Sequence, residues 1–238
     1  ALRPGGIALL GDKRITAPPN KGTDSWSHPY HGPDNNPQST DEVARAPYLT
    51  QFVAEPKFSP MPQVSVGAGG RIFKAFGHIA HKANQNAVLN TLICVNAYNG
   101  VILWKKPMKK WHSHLWPLKS GPTQLARRLV AMKDRVYITL GVDEPVSVLD
   151  AATGELIHEL PGSKGAEEII VEGGQVFVLE SPEEWELNSF LPFHNTGDQA
   201  RVRRDFAWNK KNRDVKAYDS VTGKRIWSHH NKVAPLTM

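Results

Sequence analysis

The chain has 238 residues, 40% of them apolar, with 19 Gly, 18 Pro, a single Cys and a formal net charge of +6. Such a composition fits a turn-rich globular protein of one large or two small domains and excludes collagen-like and disordered classes. One Cys excludes an internal disulfide and a cysteine metal cluster, and no apolar run approaches the roughly 18 residues of a membrane span.

Residues 1–11, ALRPGGIALLG, read as a Pro-Gly-Gly turn feeding a short buried strand. The following ITAPPNKGTDSW reads as a linker, so residues 1–24 are expected to close an upstream unit. Residues 25–63 are expected to form an ordered polar loop. Its stretch from Ser25 to Thr50 is rich in Pro, Asn and His, and Trp26, Tyr30 and Tyr48 offer anchors. Its polar groups, His28, His31, Asp34, Asn35, Asn36 and Gln38, lie beside Trp26. That mixture suits a polar ligand such as a sugar. It also suits a loop that braces the rest of the fold, which is the role expected of residues 25–63.

From Val64 onward the chain repeats itself. Gly69-Gly70-Arg71-Ile72-Phe73, Lys133-Asp134-Arg135-Val136-Tyr137 and Gly173-Gly174-Gln175-Val176-Phe177 each place a two-residue turn before an apolar strand. Turns of this kind supply or tolerate positive φ and suit antiparallel hairpins. Further on, each copy has a second pair of apolar strands around a Gly-closed turn, at Gly100, Gly154 and Gly223. The spacing within a copy varies, and all the extra residues fall between its second and third strands. Insertions confined to one loop mark a repeat array with one variable face. A four-strand antiparallel meander of this length is the blade of a β-propeller. The expected fold is therefore all-β, with three recognisable blades at about 64–106, 128–160 and 168–230, the start of a next blade, and a parent chain longer than this segment.

The turn phrases Leu149-Asp150-Ala151-Ala152-Thr153-Gly154, Asp219-Ser220-Val221-Thr222-Gly223 and Asn96-Ala97-Tyr98-Asn99-Gly100 resemble the pyrroloquinoline-quinone-like (PQQ-like) propeller repeat. In it an Asp-Ala-x-Thr-Gly turn is followed by a strand ending in Trp. The resemblance covers about residues 64–231. It implies that Gly100, Gly154 and Gly223 are blade-docking corners, and that Trp104 and Trp227 pack between neighbouring blades with their N–H groups bonded to backbone. His158 stands where the middle copy should have Trp, so a looser contact is expected there. The resemblance also makes an extracytoplasmic (periplasmic or secreted) location plausible. Separately, ALRPGGIALLG and the Trp26–Tyr30 phrase resemble a bacterial family in which a class I S-adenosylmethionine methyltransferase is joined to such a propeller. S-adenosylmethionine would then bind only in an upstream domain.

Working quinoproteins hold PQQ with calcium and often with a vicinal Cys pair over the ring. This chain has Cys94 alone, and Asp143 with Glu144 falls short of the six to eight oxygens calcium takes. PQQ with calcium is not expected, nor are catalytic residues. The alternative is a part of an enzyme, either a quinoprotein-type oxidoreductase or that upstream methyltransferase. Close His pairs invite a zinc reading, but loop spacing does not make ligands converge. His78 and His81, in the first insertion, are the pair singled out as candidate ligand-binding residues. Gly67-Ala68-Gly69-Gly70 has no following helix to bind a phosphate and reads as a hairpin turn. Aromatics in the third insertion, from Trp185 to Trp208, suit a lid, a partner surface or a small core of their own. The positive excess is scattered, which points to no nucleic acid. Partners are expected to be an unknown protein or a polar small molecule, with the chain acting as a binding or scaffolding module.

Overall fold

The computed structural model describes residues 6–18, 20–44, 52–53, 63–76, 91–109, 111, 127–181, 212–233 and 237–238. His78, His81 and the 182–211 insertion lie outside them. Every regular element among the described residues is a strand, and no helix there is long and apolar enough to cross a membrane.

β1 (Ile7–Leu10) and β2 (Lys13–Thr16) form a two-stranded hairpin. Two expectations are corrected here. β1 is not buried, because Leu9 and Leu10 are largely exposed, and β2 occupies part of what reads as a linker. A turn at Asp12, with Gly11 at φ 58°, closes the pair and overrides the Pro-rich look of the stretch after it.

Twelve further strands make three antiparallel four-stranded sheets, each in chain order. Blade one holds β3 (Gln63–Ala68), β4 (Arg71–Phe76), β5 (Thr91–Asn96) and β6 (Ile102–Pro107). Blade two holds β7 (Leu129–Met132), β8 (Arg135–Thr139), β9 (Val146–Asp150) and β10 (Leu156–Glu159). Blade three holds β11 (Ala166–Glu172), β12 (Gln175–Glu180), β13 (Arg213–Asp219) and β14 (Arg225–Asn231). The first hairpin of each blade has the expected two-residue turn, with Ala68 facing Arg71, Met132 facing Arg135 and Glu172 facing Gln175. Positive φ at Gly69, Gly70, Lys133, Gly173 and Gly174 makes these turns possible.

Blade two is apolar on both faces because blades lie on both sides of it. Successive side chains of a strand point to opposite faces. Leu129 and Ala131 of β7 enter a core with Val64, Phe73, Leu92, Cys94 and Trp111 of blade one and its flank. Val130 enters a second core with Ile169, Val171, Val176 and Tyr218 of blade three. The contacts of β7 with both β3 and β11 make the first strand of each blade the innermost one. The three sheets form an open arc of propeller blades.

Each blade also breaks its register at one shared place, and blade three has a second break between Ala166 and Glu168. Between β5 and β6, β9 and β10, and β13 and β14, the pairing shifts next to Leu103, Ile157 and Ile226. These bulged residues are all exposed, at 44%, 44% and 52%. A bulge re-aims the side chain beside it. Here that side chain is Trp104, His158 or Trp227.

Candidate functional site

Two sets of residues concentrate the polar chemistry of the described chain. One is the corner between blades; the other is the loop beginning at Trp26.

The corner is built by its own sequence. Asp150 Oδ1 accepts from the backbone N–H groups of Ala152 and Thr153, both at 2.8 Å, and from Thr153 Oγ1 at 3.1 Å. Asp219 repeats the pattern with Val221 and Thr222. These bonds, led in each case by the backbone N–H of the Thr, hold both carboxyls below the ordinary carboxylate range. Gly154 closes its turn at φ 76°, its N–H donating to Asp150 O at 2.8 Å.

The missing side chain of that Gly is a seat for the preceding blade. A Cβ on Gly154 would lie 2.7 Å from the Trp104 ring. Trp104 Nε1 donates to Ala151 O at 3.2 Å, and Lys106 Nζ to Gly154 O at 3.1 Å. At the next interface His158 covers Gly223, and an added Cβ would meet its ring at 2.5 Å. The expected looseness at His158 is corrected: the ring sits as close as Trp104 does. What changes is the hydrogen bond. Ser220 O, equivalent to Ala151 O, is taken by Arg135 Nη1, and His158 Nε2 is buried with no partner. Burial, with Arg135 nearby, lowers the His158 pKa. Trp227 packs on Phe177 and His229 of its own blade, and no acceptor for its N–H occurs among the described residues. Gly100 is buried at the leading corner of blade one.

The loop from Trp26 lies across the inner strands. Gly67, Ala131 and Val171 are equivalent positions of β3, β7 and β11. Their N–H groups donate in turn to Trp26 O (2.6 Å), Ser27 O (2.9 Å) and His28 Nε2 (3.1 Å). His28 is 1% exposed. Because Nε2 accepts, the ring proton is on Nδ1, which donates to Ser27 Oγ at 2.8 Å. Burial pushes its pKa down to about 4, against an opposing pull from Asp34 and with a contribution from His31. After His28 the strap turns back: His31 N donates to His28 O at 3.1 Å and takes φ 77°.

The remaining candidates of this loop divide. His31 Nε2 meets Asp24 Oδ2 at 2.6 Å. Burial would raise the Asp24 pKa. Hydrogen bonds from the backbone of Thr40 and Ser25, and from His31 and Ser39, outweigh it and hold the carboxyl far below the carboxylate range. Asn35 Nδ2 donates to Met238 O at 2.7 Å and to Glu168 Oε1 at 3.3 Å. Glu168 is fully buried and paired with Arg127, which lies over the Tyr30 ring. Asp34 and Asn36 are exposed and, among the described residues, bond within the loop, to Asn36 N and Gln38 N. Trp26 is 40% exposed and forms one wall of a cavity of about 690 Å³, with Asn20, Thr23, Gly70, Arg71 and Tyr98.

Sequence reasoning missed several buried charged groups. Arg213 pairs with Glu167 through two nitrogens. Arg128 lies 5.0 Å over the Trp111 ring and bonds Trp111 O, and burial lowers its pKa to about 10. No periodic signal marks these residues, since each stands just before or at the start of a strand. Cys94 is buried and its thiol is pushed up to about 12 by burial, so it stays protonated and unreactive at neutral pH. Glu144 pairs with Lys109. Among the described residues no three His, Cys, Asp or Glu side chains converge as metal ligands.

Comparison with solved structures gives distant likenesses. The quinohemoprotein alcohol dehydrogenase ADHIIG of Pseudomonas putida HK5 is 13% identical at a TM-score of 0.45, over 87% of this chain and 26% of that one. A europium-containing methanol dehydrogenase is 16% identical at 0.42, over 73% and 26%. BamB of Moraxella catarrhalis is 13% identical at 0.27, over 96% and 72%. The chain spans only about a quarter of each dehydrogenase, and at these scores the likenesses carry no argument. No curated protein matches the chain. Neither the family match below nor these structures lend support to the methyltransferase likeness of residues 1–11. A family model of the PQQ-like repeat, described as outer membrane protein assembly factor BamB, matches residues 88–238, well over half the chain, and the chain belongs to that family.

Proposed function

We propose that this chain is a non-catalytic binding or scaffolding module, part of a PQQ-like propeller in a larger protein. One observation carries the reading: the acceptors from Trp26 to His28, and Asn35 beyond them, are turned onto the blades, while Asp34 and Asn36 stay exposed. Trp26 O, Ser27 O and His28 Nε2 bond the inner strands of three successive blades, and Asn35 reaches Glu168. A strap whose acceptors are spent on its own scaffold holds the arc rigid. A rigid arc leaves the loops between second and third strands as the variable surface, which is where repeat proteins carry recognition. The family description, an outer membrane protein assembly factor, fits a protein partner and an extracytoplasmic site. The pKa values of His28, Cys94 and Arg128 have a packing cause: all three are shifted by burial.

The test is redox. With added PQQ and calcium, the purified protein is expected to reduce no dye above the rate of the cofactor alone. Calcium-dependent dye reduction that saturates with PQQ would overturn the scaffold reading in favour of a quinoprotein oxidoreductase.

A further inference from the structure

We propose that the cavity between Trp26 and Tyr98, on the leading side of blade one, binds a neutral pyranose residue of an oligosaccharide, with the Trp26 indole as its stacking platform. The site is separate from the variable loops and goes beyond the scaffold reading by adding a small-molecule ligand.

The arc contains an internal comparison. Where blade three meets blade two, a crevice of about 540 Å³ is lined by Val171, Glu172 and Val221 on one side and by Lys133, Asp134 and Arg135 on the other. Blade one has the equivalent crevice on its leading side, opposite the trailing face that packs on blade two, and its volume is about 690 Å³. Gly67, Ala68 and Tyr98 stand there at the positions of Val171, Glu172 and Val221, and residues 16–26 form the opposing wall. Charged hairpin side chains thus give way to two aromatic rings. Gly67 opens the space. Val171 fills a core between blades, whereas a Cβ built on Gly67 would have only Arg71 O, at 3.5 Å, within 4 Å.

Both rings are set in advance. The exposed Trp26 indole meets the His31 ring at 5.3 Å and 69°, and its Nε1 donates to Pro29 O at 3.4 Å. His31 is in turn held by Asp24. Tyr98 lies on Gly70, where an added Cβ would come 2.9 Å from its ring. Rings already in place lose little freedom on binding. The bracing work of Trp26 is done by its backbone, whose carbonyl takes the Gly67 N–H. Bracing therefore leaves the exposed indole unexplained.

The ligand class follows from the charges. Asp24 and Arg71 line the cavity, but both bond to the protein itself. The Asp24 carboxyl accepts from His31, Ser39, Thr40 and Ser25, and Arg71 Nη1 donates to Gly69 O. The lining then offers two rings, the Asn20 amide and the Thr23 hydroxyl, which keeps its acceptor lone pairs while donating to Asn20 O. A pyranose matches that set. Its C–H face lies on a ring, and the hydroxyls around its rim give and take hydrogen bonds. The volume falls within the range of about 300–1,000 Å³ usual for small-ligand pockets.

The test is saturation-transfer NMR of the purified protein with cellotriose, maltotriose and triacetylchitotriose. Choline chloride is run beside them, as a cation that also sits on aromatic rings. At least one trisaccharide is expected to show transfer to its ring C–H protons. Trp26→Ala and, independently, Gly67→Val are each expected to weaken that binding roughly tenfold or more. The fold accommodates Val at the second position, since blade three carries Val171 there. Val221→Ala, in the crevice of blade three, is expected to leave binding unchanged. No transfer to any of the three sugars at about 10 mM, binding that survives either cavity substitution, or transfer to choline alone would each overturn the proposal. None of these outcomes touches the scaffold reading, which stands or falls on the redox test.

Discussion

Gly154 and Gly173 both hold positive φ, at 76° and 56°, but only Gly154 lies under a ring. An added Cβ at Gly173 meets nothing within 4 Å. Gly173→Ala should therefore cost only the left-handed backbone penalty, about 1–2 kcal/mol. Gly154→Ala should cost that plus an overpacking term of about 1–3 kcal/mol. Denaturant midpoints measure the difference, and equal losses would remove the docking role of the corner. His28 gives a pH signature. The unfolded chain takes up the proton near pH 6.5, whereas the folded chain resists until about 4. The contribution is complete above 6.5 and is lost as pH falls through that window, by roughly 3 kcal/mol. His28→Gln should flatten this part of the profile of thermal midpoint against pH; a profile unchanged from the parent would show that His28 is not buried neutral.

At the level of strands, Trp104 and Trp227 stand at the same point of equivalent blades but differ in what covers them. Trp104→Ala opens a filled interface and should cost about 3–5 kcal/mol. Trp227→Ala removes a ring that, among the described residues, only its own blade supports, and in the isolated chain should cost about 1 kcal/mol. Chemical denaturation separates the two, and similar losses would mean that the trailing face is already covered. The strands themselves were legible because their signals are local: two-residue turns before Arg71, Arg135 and Gln175, and Gly at each corner. Contacts between blades were legible in part. The residue facing the corner could be named from the repeat, but not that Arg135 would take the carbonyl His158 leaves free. The bulges at Leu103, Ile157 and Ile226 leave no mark in composition; three exposed apolar residues at one repeat position were the available signal. β1 and β2 misled because apolar letters such as Ile7, Leu9 and Leu10 do not say whether a partner surface is present.

For the molecule as a whole, the attachment points of the strap were the least legible feature. Its bonds use backbone N–H groups of Gly67, Ala131 and Val171, and no side-chain pattern announces which strand edge a loop will meet. The strap also has a consequence in time. His28 and Val171 are 143 positions apart, and the three N–H groups come into line only after three sheets have stacked. Contacts of such long range carry a large loop-closure cost and form late. Replacing His28 by Ala leaves the Val171 N–H buried without its acceptor, a loss of about 1–3 kcal/mol. That loss should appear almost wholly as faster escape from the native state, roughly tenfold or more, while the refolding rate stays within about a factor of two. Stopped-flow unfolding and refolding would measure both arms, and a slowed refolding arm would place the strap in the folding nucleus instead. The N-terminal loop would then act as a latch: added last, it governs how long the assembled arc survives and has little influence on how fast it is built.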